Sequence, residues 1–185
     1  MIKFFSVVIP VVSVLTLLSA CGYQQPEGHW VSIEASEVVF SGIKLEDEVK
    51  DKAYPDICVE AQGEVKAALL KALPAKIKPL SFTMADDKSD TGKIASDKAR
   101  FDMVITHCEL DVDQGGGSFA FYLTLTVQVS LHIADRTVMA YTMETYEQAV
   151  SSTPSPDFEF TFAEPKVRTL MLFDSGRVWV PDGAR

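Results

Sequence analysis

The fifteen residues Phe119 to Ile133, FAFYLTLTVQVSLHI, alternate apolar and polar side chains without a slip. Phe119, Phe121, Leu123, Leu125, Val127, Val129, Leu131 and Ile133 fall on one side. Ala120, Tyr122, Thr124, Thr126, Gln128, Ser130 and His132 fall on the other. A helix, with 3.6 residues per turn, would scatter these two sets, whereas a strand separates them cleanly. The stretch is therefore a long strand with one buried face. Its register is fixed as well, because a slip of one residue would turn eight apolar side chains into water. Any fold built on it needs a second layer to cover that face.

The neighbouring segments supply partners for the strand. FDMVITHCELDV, 101–112, reads as a strand that is buried in its first half. QGGGS, 114–118, is a turn, ADR at 134–136 is the next turn, and TVMAYTMETY, 137–146, is a further strand. Three consecutive strands joined by short turns predict an antiparallel meander. Upstream, Ile57, Ala61, Val65, Ala68, Leu69, Ala72, Leu73 and Ile77 recur with helical spacing. This predicts an amphipathic helix capped by Asp56, with Glu60, Glu64, Lys66 and Lys71 outside and Pro74 ending or kinking it near Leu73.

The remaining stretches carry shorter signals. HWVSIEASEVVF, 29–40, alternates like a single half-buried strand, followed by a polar connection from Ser41 to Pro55. PLSFTM, 79–84, suits a short edge strand, and 85–99 reads as a charged loop. In DFEFTFAEPKVRTLMLFDSG, Pro165 suits the first turn of a helix carrying Val167, Leu170 and Met171, and Gly176 follows its end. Val178 to Val180 form a terminal strand. The predicted fold class is α+β, two layers, with one antiparallel meander sheet and both the main helix and the C-terminal helix on one face. No internal repeat is present.

The chain holds 26 acidic and 17 basic residues. Such a balance gains nothing from counterion release, which excludes nucleic acid as a partner. Catalytic signals are sparse. QGGGS lacks the spacing of a phosphate loop and opens into a strand, so no helix N-terminus would face a phosphate. His29, His107 and His132 accompany no G-x-S-x-G elbow. Glu109, Asp111 and Asp113 alternate along one strand. Either they form a solvated strand end or they contribute to a Ca²⁺ site, though three side chains on one extended strand cannot wrap an ion. The polar face Tyr122, Thr124, Thr126 and Gln128 is the candidate partner-binding surface, with Tyr141 and Tyr146 nearby, because tyrosine is enriched where binding energy concentrates. A solvated sheet face is the plain alternative. No catalytic residue, metal site or cofactor is implied.

The first 21 residues, MIKFFSVVIPVVSVLTLLSAC, have a single cation, Lys3, and an apolar run from Phe4 to Leu18. At about 15 residues the run is short of the roughly 20 that span a bilayer, and it reads as a secretory signal. Leu18-Ser19-Ala20-Cys21 resembles the lipobox of bacterial lipoproteins. That resemblance implies cleavage before Cys21, a diacylglyceryl group on its thiol, and an acylated amino terminus, palmitate being the acyl chain implied. Gly22, in the position that influences sorting, implies the outer membrane and its periplasmic side. Cleavage would remove Lys3 but no acidic residue. The acidic body would then be repelled by anionic headgroups, which leaves the acyl chains to carry attachment. The organisation read from the sequence is thus 1–20 signal peptide, 21–28 acylated cysteine and tether, and 29–185 one α+β domain.

In that compartment Cys58 and Cys108 are free to form a disulfide closing a loop of about 50 residues. Buried free thiols, or a reactive or metal-binding cysteine, are the other readings. The sequence of lipobox, tether, strand, helix, meander and late helix resembles the plan of small Gram-negative outer-membrane lipoproteins with a helix-on-sheet domain, the class of LptE and LpoB. It implies a non-enzymatic binding or accessory role toward an envelope protein or glycan. A periplasmic hydrolase, or a structural subunit of a secretion or pilus assembly, is the alternative.

Overall fold

The alternating stretch 119–133 forms most of a sixteen-residue strand paired along its length on both sides. A computed structural model of the chain describes residues 27–46, 49, 56–85, 95–151 and 168–182. In chain order these form β1 (Gly28–Ser32), β2 (Glu37–Leu45), α1 (Ile57–Lys76), β3 (Ser81–Met84), β4 (Lys98–Gly115), β5 (Ser118–Ile133) and β6 (Arg136–Ser151). A five-residue 3-10 helix (Arg168–Leu172), β7 (Phe173–Asp174) and β8 (Arg177–Pro181) complete them. The lipobox, the tether up to Pro26 and Pro165 lie outside the described residues. No helix among the described residues is long and apolar enough to cross a membrane.

The described residues form two sheets. The larger has the order β3-β2-β4-β5-β6, and the smaller is β1-β8-β7. The predicted meander is its β4-β5-β6 part. β4 and β5 join through Gly116 and Gly117, both at positive φ (61° and 86°), the conformation that a two-residue hairpin requires. The sheet as a whole is mixed, because β2 pairs parallel with both β3 and β4. α1 makes the crossover from β2 to β3, as parallel neighbours demand. This corrects the expectation of a purely antiparallel sheet.

The core lies between the large sheet and a second layer made of α1, the 3-10 helix and the small sheet. The helical stripe is buried as predicted: Ile57, Ala61, Val65, Leu69, Leu73 and Ile77 all face inward. Three aromatic rings tie the layers together. Phe40 of β2 stacks on Phe101 of β4 at 5.4 Å, and Phe173 of β7 meets Phe101 edge-on at 5.0 Å. Burying a side chain of that size contributes about 1.5–3 kcal/mol.

Several local expectations give way. Residues 29–40 are two strands in different sheets, with β1 pairing β8 and β2 joining the large sheet. β2 also continues beyond Ser41 to Leu45, across a bulge at Gly42 (φ 92°). Gln62 of α1 donates from Nε2 to the Ile43 carbonyl at 2.6 Å, giving a partner to a carbonyl beside the bulge. α1 runs through Pro74 to Lys76. A proline two residues from the end forfeits one hydrogen bond, and continuing buries Ile77 completely, with its N–H donating to the Leu73 carbonyl. Asp56 precedes the helix but makes no side-chain cap. In the described part of the C-terminal region, the predicted helix is replaced by the single 3-10 turn, which buries Thr169, Leu170 and Leu172.

Two of the ties between elements bear directly on stability. Cys58, at the start of α1, is disulfide-bonded to Cys108 of β4, with their Cα atoms 6.0 Å apart. Glu37 joins three strands: it accepts from Thr83 Oγ1 of β3 and pairs with Lys98 of β4, both at 2.6 Å. Hydrogen bonds from Lys98 and Thr83 hold the Glu37 carboxyl below its ordinary value of 4.5.

Two predictions follow from these ties. Loss of the disulfide in a Cys58→Ala/Cys108→Ala variant should lower the unfolding free energy by about 4 kcal/mol, from the 50-residue separation it spans, as read by urea denaturation. An unchanged midpoint would contradict this. The Glu37 carboxyl is depressed in the folded state, so its contribution is present above the ordinary glutamate value and is lost as pH falls through the folded one. Stability of Glu37→Gln should therefore fall less steeply than wild type as the medium is acidified below about pH 4.5, measured as denaturation midpoint against pH.

Candidate functional site

β5 sends its odd residues into the core, so its even residues form the outer face of the large sheet. Tyr122, Thr124, Thr126 and Gln128 stand in one row there; the first three are half-buried and Gln128 is exposed. The flanking strands set their neighbours. Across β4, Tyr122 pairs with Asp111, Thr124 with Glu109 and Thr126 with His107. Across β6, Tyr122 pairs with Gln148, Thr124 with Tyr146 and Thr126 with Glu144. The row is thus the centre strip of a three-strand surface with carboxylates on both sides.

β4 reaches this arrangement only by changing phase. Phe101, Met103 and Ile105 are buried, and after a bulge between Ile105 and His107 the buried positions become Cys108 and Leu110. The extra residue, Thr106, donates its Oγ1 to the Thr126 carbonyl at 3.4 Å. The bulge turns Cys108 inward to Cys58 and turns His107, Glu109, Asp111 and Asp113 outward. All four are exposed, and His107 Nε2 lies 3.2 Å from Glu109 Oε2. Beyond Leu110, Asp111 to Ser118 are exposed on both faces, including Val112 at 45%. The end of the β4–β5 hairpin is therefore a projecting arm.

The acidic residues spread along this arm. Among the described residues, no three His, Cys, Asp or Glu side chains converge as metal ligands. Residues 106–126 and 142–149 contain no lysine or arginine, while Glu109, Asp111, Asp113 and Glu144 are exposed there. This half of the outer face is uniformly acidic.

The histidines are separated by the fold. His29 lies near the tether, its Nδ1 3.3 Å from Asp182 Oδ1. His132, at the far end of β5, joins a cluster that the sequence pattern alone did not reveal. Its Nε2 lies 3.0 Å from Ser130 Oγ and 3.6 Å from Asp102 Oδ2, and its Nδ1 lies 3.1 Å from Thr137 Oγ1. Asp102 is itself bound by Arg100 Nε at 2.7 Å. A serine triad needs hydroxyl and carboxylate on opposite ring nitrogens. Here Ser130 and Asp102 share one, and rotating the ring would not separate them. The group cross-links β4, β5 and β6.

Of the two other tyrosines near the row, Tyr146 is in register with Thr124, but Tyr141 is not part of this surface. It pairs with Val129 and packs on the core side, in phase with buried Met139 and Met143. The same phase carries Thr145 and Glu147 inward, and Glu147 is only 6% exposed. A polar residue at a core position of an edge strand leaves no mark in hydrophobic periodicity, so only the three-dimensional register identifies it.

No protein-family model matches the chain, and no curated protein does either. Among solved structures, the chain is similar to a neuraminyllactose-binding hemagglutinin homolog from Helicobacter pylori, with a TM-score of 0.38 and 13% identity over 81% of this chain and 84% of that one. It is also similar to a lipoprotein from Neisseria meningitidis, with a TM-score of 0.35 and 8% identity over 65% and 87% of the two chains. A minor lipoprotein from Acinetobacter baumannii gives a TM-score of 0.32 and 9% identity over 69% and 74%.

Proposed function

We propose that this protein is a non-enzymatic, lipid-anchored component of the cell envelope, held at the periplasmic side of the outer membrane through Cys21. In this reading it binds a protein partner with the outer face of β4, β5 and β6. The observation that carries the binding surface is its sign. The row Tyr122, Thr124, Thr126, Gln128 lies among Glu109, Asp111, Asp113 and Glu144, with no lysine or arginine in the surrounding strand segments. Four carboxylates on one flat face favour a cationic protein surface and repel anionic glycans. Half-buried tyrosine supplies rigid apolar area at little entropic cost. The lipobox-like LSAC at 18–21 supports the anchor, and the permissive compartment it implies suits the Cys58–Cys108 disulfide.

Cys21→Ser should leave the protein unprocessed or release it from sedimented membranes. A variant that is processed and fractionates as wild type would refute the anchor. Cross-linking in intact envelopes should capture a stoichiometric partner with a basic surface. Tyr122→Ala should weaken that complex by about 2 kcal/mol or more. Asp111→Lys should slow association and reduce its dependence on salt, as a rim charge does. Robust turnover in a substrate screen, with no partner recovered, would favour a periplasmic enzyme instead.

A further inference from the structure

The chain has two tryptophans, and the structure brings them together beside the N-terminal tether. Trp30 of β1 and Trp179 of β8 are paired across the small sheet, edge to face, with ring centroids 5.4 Å apart. Gly28 shares their face, and a Cβ there would come within 2.9 Å of the Trp179 ring. That Cβ would also come within 2.5 Å of the Val180 carbonyl oxygen, so the close approach of β1 and β8 here takes only a glycine. The Arg177 guanidinium stands over Trp30, 5.4 Å from the ring centroid, and also holds Asp174 at 2.6 Å. Trp30 is 36% exposed and Trp179 half-buried.

The charge around this pair differs from the rest of the protein. The end of α1 meets the β7–β8 turn there: the Lys78 carbonyl lies 3.5 Å from where a Gly176 Cβ would be, and Lys76 acts electrostatically on Asp174. Lys76, Lys78 and Arg177 are all exposed. Of the nearby acids, Asp174 is paired with Arg177 and Asp182 lies against His29, while Glu27 and Glu34 are exposed, the latter next to Ile33, whose N–H donates to the Gly176 carbonyl. In a chain of net charge −9, this end is aromatic and carries cations and carboxylates side by side, unlike the acidic arm.

We propose that this face rests on the headgroup layer of the bilayer that holds Cys21, so that the domain is docked on the membrane as well as tethered to it. The proposal rests on the anchor reading above. Cys21 precedes Gly28 by seven residues, a span of at most about 25 Å fully extended, so the β1–β8 face stays within reach of the lipid surface. Tryptophan, with an apolar body and a polar N–H, is the side chain that concentrates at membrane interfaces; Trp30 is the exposed one, and Trp179, whose Nε1 is buried, backs it. Arg177, Lys76 and Lys78 can meet phosphates from exposed positions. The acidic arm points the other way. Phe101 packs on Phe173 at this end of β4, and Asp113 lies twelve residues further along the strand, about 40 Å at full extension.

Because both tryptophans sit in this one patch, intrinsic fluorescence reports on it alone. The lipidated protein, reconstituted in phosphatidylcholine vesicles with plain or brominated acyl chains, should float with both. Its tryptophan emission should be weaker by about a third or more in the brominated ones. Floating with equal emission in the two lipids overturns the docking while leaving the anchor intact. An emission shielded from aqueous iodide yet indifferent to bromine means that protein, a second copy or a partner, covers the pair, and this also overturns it. Failure to float overturns the anchor reading and the docking with it.

Discussion

The fold depends on the uninterrupted burial of one face of β5. Eight apolar side chains at period two fix which way every residue of that strand points, and its register cannot slip without exposing them all. Its neighbours have no such regularity and must conform to it. β4 is in phase through Ile105 and out of phase from His107; one extra residue, Thr106, absorbs the mismatch. β6 meets the same problem at the other end, where its register shifts opposite Leu131 and His132. Both bulges lie in the flanking strands. The best-patterned strand acts as the template, and its partners pay in local irregularity. The outer face is a consequence: its row of Tyr122, Thr124, Thr126 and Gln128, and the carboxylates beside it, are what remains once the inward positions are fixed.

Elements whose identity is set by local chemistry were legible in the sequence. The alternation of β5, the stripe from Ile57 to Ile77, the Gly116-Gly117 turn and the terminal strand around Val178 to Val180 each have a short-range cause. What was not legible depends on partners distant in sequence. Alternation in 29–40 stops at Ser36-Glu37, but no local signal says that Val31 belongs to the small sheet and Val38 to the large one. Whether β2 runs parallel or antiparallel to β4 leaves no mark on its own residues, because direction is decided by where α1 carries the chain. Pro74 is a genuine stop signal that the burial of Ile77 overrules. The C-terminal stretch carries a helix-like start at Pro165 and helix-like spacing at Leu170 and Met171. Tertiary packing there asks instead for a tight turn that puts Leu170, Leu172 and Phe173 in the core.

The candidate site divides in the same way. The polar row was visible as the even residues of β5, and its exposure follows from the pleat. Its electrostatic character was not visible, because Glu109 and Glu144 are 35 positions apart and become neighbours only through the common partner β5. The cluster of Arg100, Asp102, Ser130, His132 and Thr137 is equally non-local. So is the meeting of Trp30 with Trp179, which joins the two ends of the described chain.

Those non-local pairings give the molecule a polarity along its longest strands. At one end, Phe173 on Phe101 closes the core beneath the β7–β8 turn, and the tryptophans and exposed cations lie over it. Toward the other end the core runs out within a few residues: on β4 Leu110 is buried and Val112 is not, on β5 Phe121 is the last fully buried side chain, and the hairpin continues with carboxylates and glycines. The disulfide sits at that boundary. Cys108 is two residues before the last buried position of β4, and its partner is at the first turn of α1. A projecting hairpin gains little from apolar burial, so strand pairing and a clamp at its base must hold it in place. The clamp fixes the arm to the helix layer and thereby to the small sheet and the end that carries the tether. If that end faces lipid, the arm is held outward by the same covalent and packing contacts that hold the core together, and the acidic face meets its partner in a defined orientation.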